Sequence, residues 1–170
     1  ALSQRGINVR VGQGLEALAS VAGCVEATIK GETLEFDAAI LSVGVAGRVQ
    51  GLGLEALGVT MNQGFVVVDE RQQTSVSGIY AIGDVAGAPC LAHKATHEAM
   101  IAAETIAGHF VQGLQRDRIP GCTYSFPQIA SIGLREQDAG DRALRIGRFP
   151  LYANGKAVVS GHTEGMIKTI

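Results

Sequence analysis

The stretch that most constrains the fold of this chain is residues 74–87, TSVSGIYAIGDVAG. A polar turn leads into an apolar strand predicted over residues 79–82, and this strand stops at Gly83 and Asp84. In open α/β sheets, ligands bind just beyond the carboxyl ends of the strands, where helices begin. Gly83 permits close approach of a ligand to the backbone, and the Asp84 carboxylate can accept a hydrogen bond from a ligand hydroxyl. The stretch therefore predicts a cofactor site.

The residues after this stretch predict a helix over 91–107 that ends at Gly108. Its first turn, residues 91–94, directs unpaired N–H groups back toward the predicted strand ends. Small and apolar side chains recur at helical spacing on one side, and most of the polar ones lie opposite. The first group is Ala95, Ala99, Ala102, Ala103 and Ile106, and the second is His97, Glu98 and Glu104.

A second strand is predicted over residues 38–43, a continuous apolar run that suits a buried parallel strand and ends at Gly44. Before it, residues 25–36 alternate apolar and polar side chains around a two-residue turn at Gly31 and Glu32, which predicts a β-hairpin. One face of this hairpin is apolar. That face consists of Val25, Ala27, Ile29, Leu34 and Phe36.

Residues 7–11 alternate as a half-buried strand would, and Gly12, Gly14 and Ala17 then match the spacing of a dinucleotide-binding loop. The helical-looking segment 15–23 that follows is short, since a βαβ crossover needs at least about ten to twelve residues. A simple turn is therefore favoured over a phosphate-binding loop.

The remaining residues predict shorter elements. Acidic side chains predominate before residue 116 and basic ones after it, which marks a boundary, and from Ile119 short strands and turns predict an antiparallel sheet. The predicted elements are a helix at 52–57, a turn at 62–64, strands at 65–69, 128–133, 144–149 and 165–170, a helix at 135–140, and a turn at Asn154 and Gly155.

Several classes of function are disfavoured. A net charge of −2 does not favour nucleic acid or an anionic membrane as a partner, and no apolar run approaches the roughly 18 residues of a membrane span. Cys24, Cys90 and Cys122 are an odd number and far apart, so a cytoplasmic protein without a disulfide framework is expected. His93 and His97 lie four residues apart, but the pattern HKATH lacks the glutamate of HExxH, so no metal site is predicted.

The run TSVSGIYAIGDVAGAPCLAHKA, with GLGLEALGV before it and YSFPQIASIG after it, resembles the flavin-dependent pyridine nucleotide-disulfide oxidoreductases. LAHKA and FPLYANGKAVVSGHTEGMIKTI most resemble the dihydrolipoamide dehydrogenase group of that family. The resemblance implies an α/β fold with parts of two Rossmann-like FAD/NAD(P)-binding domains and the start of an α+β interface, or dimerisation, domain. It assigns residues 1–44 to the NAD-binding domain, 45–118 to the FAD-binding domain and 119–170 to the interface domain.

The resemblance also implies roles for individual residues. Asp84, next to Gly83, would accept hydrogen bonds from the ribityl chain of FAD, and Gly44 would let NAD approach, with Leu15 near the adenine. Backbone groups of four residues would meet the flavin ring: Cys90, Leu91, Ala92 and His93. The redox-active cysteine pair and the catalytic histidine and glutamate have no counterpart here, so no catalytic residue is predicted and the chain is expected to be an internal segment.

The activity that the resemblance implies is oxidation of dihydrolipoamide with NAD, through FAD and a redox disulfide outside this segment. The implied partners are lipoyl domains of a 2-oxo acid dehydrogenase complex and a second copy of the protein, and the implied process is cell redox homeostasis. Two alternatives stay open at this point. One is another FAD-dependent disulfide reductase of the same architecture, and the other is a non-catalytic fragment that keeps only an assembly surface.

Overall fold

The computed structural model describes residues 2–170, which divide at Gly44 into two compact units. The first unit extends to Gly44, and the second is Val45–Ile170. The assignment of residues 1–44, 45–118 and 119–170 to three domains stays a prediction.

The first unit is built on an antiparallel sheet in the order β1-β2-β3. The predicted hairpin is confirmed as β2 and β3, in which Val25 lies opposite Phe36. Its turn lies one residue earlier than predicted, because Lys30 and Gly31 have the positive φ angles, 51° and 75°, that a tight hairpin requires. Glu32 is already paired with Ile29. The strands are β1 (Ala17–Val21), β2 (Cys24–Ile29) and β3 (Glu32–Phe36).

Two other predictions for the first unit are wrong. Residues 7–11 form no strand and are exposed, and the helical-looking segment contains β1 instead of a helix. Ala17 pairs with Thr28 and Val21 with Cys24, so strand pairing outweighs the weak helical preference of the alanines. Without a following helix, a phosphate-binding loop has no basis at Gly12, which lies in a bend with a φ of 66°.

The predicted buried strand at residues 38–43 is also absent from the structure. Its apolar side chains are exposed, with Ile40 at 94% and Val43 at 80%. A buried parallel strand needs a neighbouring strand on each side, and none of the strands within residues 2–170 pairs with this segment.

The core of the second unit lies under a small hairpin, β4 (Met61–Asn62) and β5 (Phe65–Val66). The buried residues of this core are Val59, Val66, Ala81 and Ala86. The strand predicted at 65–69 is present only as the two residues of β5. The helix predicted at 52–57 is only a set of turns.

The strand predicted at residues 79–82 is likewise reduced to one antiparallel bridge between Gln73 and Tyr80. The N–H of Ala81 also donates to the Gln72 carbonyl, at 3.1 Å. Directly after it, Gly83–Ala86 form a short 3₁₀ helix.

The predicted long helix is confirmed as α1 (Ala92–Ile106), followed by Gly108 at a φ of 78°. The predicted polar and apolar sides are only partly right. Glu98 is fully buried, whereas Ile106 is exposed. The buried stripe of α1 is instead Lys94, Glu98 and Ala102, which lie four residues apart.

Residues 119–170 form two separate antiparallel pairs instead of one sheet. The predicted strands are present but shorter, and the helix predicted at 135–140 is a 3₁₀ turn, Glu136–Asp138. Asn154 and Gly155 do not form a hairpin turn, because the Asn154 side chain accepts a hydrogen bond from the Ala157 N–H and caps a short helix. The pairs are β6 (Gly121–Thr123) with β7 (Ile129–Ser131) and β8 (Gly147–Pro150) with β9 (Met166–Thr169), and the helix is α2 (Gly155–Val159).

None of the helices formed by residues 2–170 combines the length and the apolar character that a bilayer crossing needs.

Candidate cofactor site

The predicted site is centred on Asp84, the second residue of the 3₁₀ helix Gly83–Ala86. Its side chain is exposed, and none of residues 2–170 donates a hydrogen bond to its carboxylate. An ionised carboxylate has acceptor sites only. Asp84 therefore presents an unused acceptor to a ligand that carries hydroxyl groups.

Gly83, directly before it, is buried against α1 with a φ of 76°. A Cβ atom at this position would lie 3.5 Å from the Ala95 Cβ, and the positive φ is one that side-chain-bearing residues rarely adopt. Because 3.5 Å is an ordinary van der Waals distance, it is the positive φ that favours glycine at this turn.

A buried ion pair on α1 holds Gly83. The Lys94 Nζ donates to the Gly83 carbonyl at 3.0 Å, and the Gly83 N–H donates to the Glu98 Oε2 at 2.7 Å. The Lys94 Nζ also lies 2.9 Å from the Glu98 carboxylate, and both side chains have no exposed surface. Both backbone polar groups of the residue before Asp84 are therefore fixed by one ion pair.

Lys94 and Glu98 were not predicted as site residues. Helical periodicity places Glu98 on the polar side of the helix, because an unpaired charge is rarely buried. The available signal was the spacing, since a lysine four residues before a glutamate can form a pair that is buried as a unit. Ala102, one further turn along, continues the same stripe.

The start of α1 supplies donors beside this turn. Leu91 precedes the helix in an extended conformation, and its side chain provides no cap. The first backbone hydrogen bond of the helix runs from the Ala95 N–H to the Leu91 carbonyl, so the N–H groups of Ala92 and His93 have no acceptor within the helix. These N–H groups and the positive end of the helix dipole can receive a partially negative ligand atom.

The segment leading to α1 is fastened to residues 116–120. The His93 Nε2 lies 2.8 Å from the Pro120 carbonyl oxygen, and Arg116 donates to the Ala88 carbonyl at 2.9 Å. Cys90 lies between them, half-buried and with a free thiol. Because the His93 side chain is engaged with Pro120, its backbone N–H is the group available to a ligand.

Gly44 and Leu15 are the two predicted site residues in the first unit. Gly44 has a φ of 71°, and apart from its two chain neighbours no described residue has an atom within 4 Å of the position that its Cβ would occupy. Leu15 is 44% exposed. Both positions are open to a ligand, and their predicted contacts with NAD stay predictions.

A cleft of about 240 Å³ lies beside the 3₁₀ helix, in the second unit. Apolar residues of β5 and the segment after it form one wall, and Arg116 is its charged residue. Nowhere in residues 2–170 do three histidine, cysteine, aspartate or glutamate side chains cluster closely enough to hold a metal ion. The cleft is lined by Asn62, Gln63, Phe65, Val66, Val67, Val68, Ala86, Gly87 and Arg116.

Comparison with protein families gives two matches. The model of the pyridine nucleotide-disulphide oxidoreductases matches residues 1–99, which is more than half of the chain. The model of the dimerisation domain of the pyridine nucleotide-disulphide oxidoreductases matches residues 119–170.

Individual proteins are similar over nearly the whole chain. A dihydrolipoyl dehydrogenase of Zymomonas mobilis is 46% identical over 100% of the chain and 38% of its own length. A dihydrolipoyl dehydrogenase of Rhizobium etli is 44% identical over 99% of the chain and 37% of its own length. The crystal structure of LpdA from Mycobacterium tuberculosis superposes with a TM-score of 0.87 at 29% identity, over 98% of this chain and 37% of that one. The chain thus spans less than two fifths of the length of these relatives.

Proposed function

Because the chain belongs to the pyridine nucleotide-disulphide oxidoreductase family, we propose that it forms part of the FAD site of a flavoprotein that oxidises dihydrolipoamide with NAD. The observation that carries the proposal is the unused Asp84 carboxylate, held next to the uncapped start of α1. The choice of dihydrolipoamide as substrate is supported by the names of the relatives at 46% and 44% identity.

The donors and acceptors of the site suit the chemistry of FAD. The ribityl chain carries hydroxyl groups, and the exposed Asp84 carboxylate can accept hydrogen bonds from them. The pyrimidine edge of the flavin carries acceptor atoms, and the backbone at Cys90, Leu91, Ala92 and His93 leads into the helix start that supplies N–H donors.

Once bound, FAD would supply the transfer of electrons from the redox disulfide, outside this segment, to NAD. The residues of this chain orient it and adjust its electronics. The positive end of the α1 dipole would stabilise negative charge on a flavin bound against this helix start, which would favour the reduced form. Gly44 and Leu15 belong to the proposed NAD contacts, Gly44 because its open position lets a nucleotide approach the backbone.

FAD affinity is the direct test of this proposal, on protein produced from the complete coding sequence and stripped of flavin. Asp84→Ala removes a charged acceptor worth roughly 2 kcal/mol, so the Kd for FAD should rise about 30-fold. The matched control is Asp141→Ala, an exposed carboxylate outside the site, which should leave the Kd unchanged. Equal Kd values for Asp84→Ala and wild type would overturn the proposal.

The substrate is tested separately on the flavin-loaded protein. Formation of NADH from dihydrolipoamide is expected. If FAD binds and responds to Asp84→Ala but only a different disulfide substrate is turned over, the protein is another reductase of the same architecture. If no flavin binds and the protein still self-associates, the result supports the alternative of a non-catalytic protein that keeps only an assembly surface.

Residues 119–170 are the proposed homodimer surface, supported by their match to a dimerisation domain. Large apolar side chains are exposed there, including Tyr124 at 88% and Ile129 and Ile132 at 63% each. Such a surface favours coverage by a partner. Ile129→Glu with Ile132→Glu should give a monomer in light scattering, whereas Val11→Glu, an exposed apolar residue elsewhere, should leave a dimer. A wild-type monomer would contradict this.

Docking with lipoyl domains of a 2-oxo acid dehydrogenase complex, a cytoplasmic location and a part in cell redox homeostasis complete the proposal. The location is supported by free thiols at Cys24, Cys90 and Cys122. A pull-down with an isolated lipoyl domain tests the docking, and failure to bind would contradict it. Fractionation of the host cell tests the location, and recovery in a secreted fraction would contradict a cytoplasmic one.

A further inference from the structure

The Lys94–Glu98 pair makes contacts that packing alone does not require. Both side chains are fully buried, and apart from each other their hydrogen-bond partner within residues 2–170 is Gly83. The Lys94 Nζ lies 2.9 Å from each of the two Glu98 carboxylate oxygens. Charges are costly to bury, and apolar residues of the same size often fill such a space equally well. The distinctive feature of this pair is therefore its two hydrogen bonds with Gly83.

The residue bound by the pair, Gly83, is a glycine in a left-handed conformation, with a φ of 76°. Glycine adopts positive φ readily but also samples many other conformations. Here the N–H of Gly83 is tied to Glu98, and its carbonyl is tied to Lys94, with donor–acceptor distances of 2.7 and 3.0 Å. Two hydrogen bonds to ionised groups thus restrict the rotation on both sides of the Gly83 Cα.

This restriction passes directly to Asp84. The Gly83 carbonyl and the Asp84 N–H belong to one planar peptide unit, so holding the carbonyl fixes the position of the Asp84 Cα. The Asp84 carboxylate itself has no hydrogen-bond partner within residues 2–170 that could orient it. The direction of the Asp84 side chain is therefore determined mainly by the conformation of Gly83.

We propose that Lys94 and Glu98 are positioning residues, which orient the Asp84 carboxylate toward the cofactor by clamping both backbone polar groups of Gly83. This inference rests on the proposed function, because it takes Asp84 as a ligand of FAD. It assigns a role in cofactor binding to two side chains that do not contact the cofactor.

Two double variants separate the clamp from the burial of charge. Lys94→Met with Glu98→Met removes both charges and both hydrogen bonds to Gly83. Lys94→Met with Glu98→Gln also removes both charges, but the glutamine carbonyl can still accept from the Gly83 N–H. Glu104→Gln, an exposed residue of the same helix, is the matched control. Neither double variant leaves an unpaired buried charge.

FAD Kd values of the flavin-stripped protein, produced from the complete coding sequence, are the readout. The methionine pair should raise the Kd about tenfold, and the Met/Gln pair should restore part of that loss. The control should match wild type. Equal Kd values for the methionine pair and wild type would overturn the proposal.

A double-mutant cycle with Asp84→Ala distinguishes positioning from a general loss of structure. If the pair acts through Asp84, the methionine pair should weaken FAD binding in the presence of Asp84 and have no further effect in the Asp84→Ala background. An equal effect in both backgrounds would refute the positioning role while leaving the proposed function standing. No effect of Asp84→Ala itself would instead refute the proposed function. If the methionine pair does not fold, the Met/Gln pair enters the cycle with the same criteria.

Discussion

Replacing Glu98 alone by methionine should be far more damaging than replacing Glu98 and Lys94 together. The single change leaves the Lys94 ammonium fully buried without its carboxylate, and it leaves the Gly83 N–H without an acceptor. Breaking one side of a buried ion pair costs about 3–5 kcal/mol, and an unsatisfied buried N–H costs about 1–3 kcal/mol. We therefore expect the free energy of opening of α1 to be lower in the single variant than in wild type by about 4 kcal/mol or more.

The double variant, Lys94→Met with Glu98→Met, loses both hydrogen bonds to Gly83, one more than the single variant, but leaves no charge behind. Apolar replacement of a buried pair is often neutral or stabilising by about 1–4 kcal/mol, which offsets part of the lost hydrogen bonding. The double variant is therefore expected to be more stable than the single variant by about 2 kcal/mol or more. The sign of this difference follows from complete burial of both side chains.

Amide hydrogen exchange along α1, read by mass spectrometry, measures this difference as a local opening free energy. A loss of about 4 kcal/mol corresponds to roughly a thousandfold faster exchange in the single variant. Exchange in the double variant should be slower than in the single variant. If the single variant exchanges within about tenfold of wild type, or the double variant exchanges faster than the single one, the burial argument is wrong.

Three further changes test the packing and the turns. Gly47→Ala should cost about 1–3 kcal/mol, measured as a lower Tm, because its Cβ would lie 2.6 Å from the Gly64 carbonyl oxygen. Gly155→Ala is its control and should not lower the Tm, because the new Cβ would meet no atom of residues 2–170 within 4 Å beyond its chain neighbours and the backbone of its own helix. Asn154→Ala should lower the free energy of unfolding by about 1 kcal/mol, because it removes the cap of α2, whereas Asn154→Asp should keep the cap. Equal Tm values for Asn154→Ala and wild type would contradict the capping role. Lys30→Val should cost about 1–2 kcal/mol at its φ of 51°, whereas an unchanged Tm would refute the assigned turn.

Features set by neighbouring residues could be predicted from the sequence. The hairpin β2–β3 follows from alternating side chains around a glycine turn, and α1 follows from its alanine spacing and Gly108. The turn at Gly83 and Asp84 belongs to this group, because a glycine followed by an aspartate ends the apolar run locally.

Features set by distant contacts could not be predicted. The apolar run at residues 38–43 needs neighbouring strands, and β1 forms because it pairs with β2, which local helical preference does not reveal. The Lys94–Glu98 pair was missed for the same reason. Helical periodicity sorts side chains by polarity, and only the contacts with Gly83 explain why these two charges face inward.

The most direct test of the central claim is an experimental structure of the flavin-bound protein. We predict density for FAD with a ribityl hydroxyl within about 3.2 Å of the Asp84 carboxylate and the flavin ring against the N–H groups at the start of α1. A flavin bound elsewhere, with Asp84 facing only solvent, would contradict the assignment of this site.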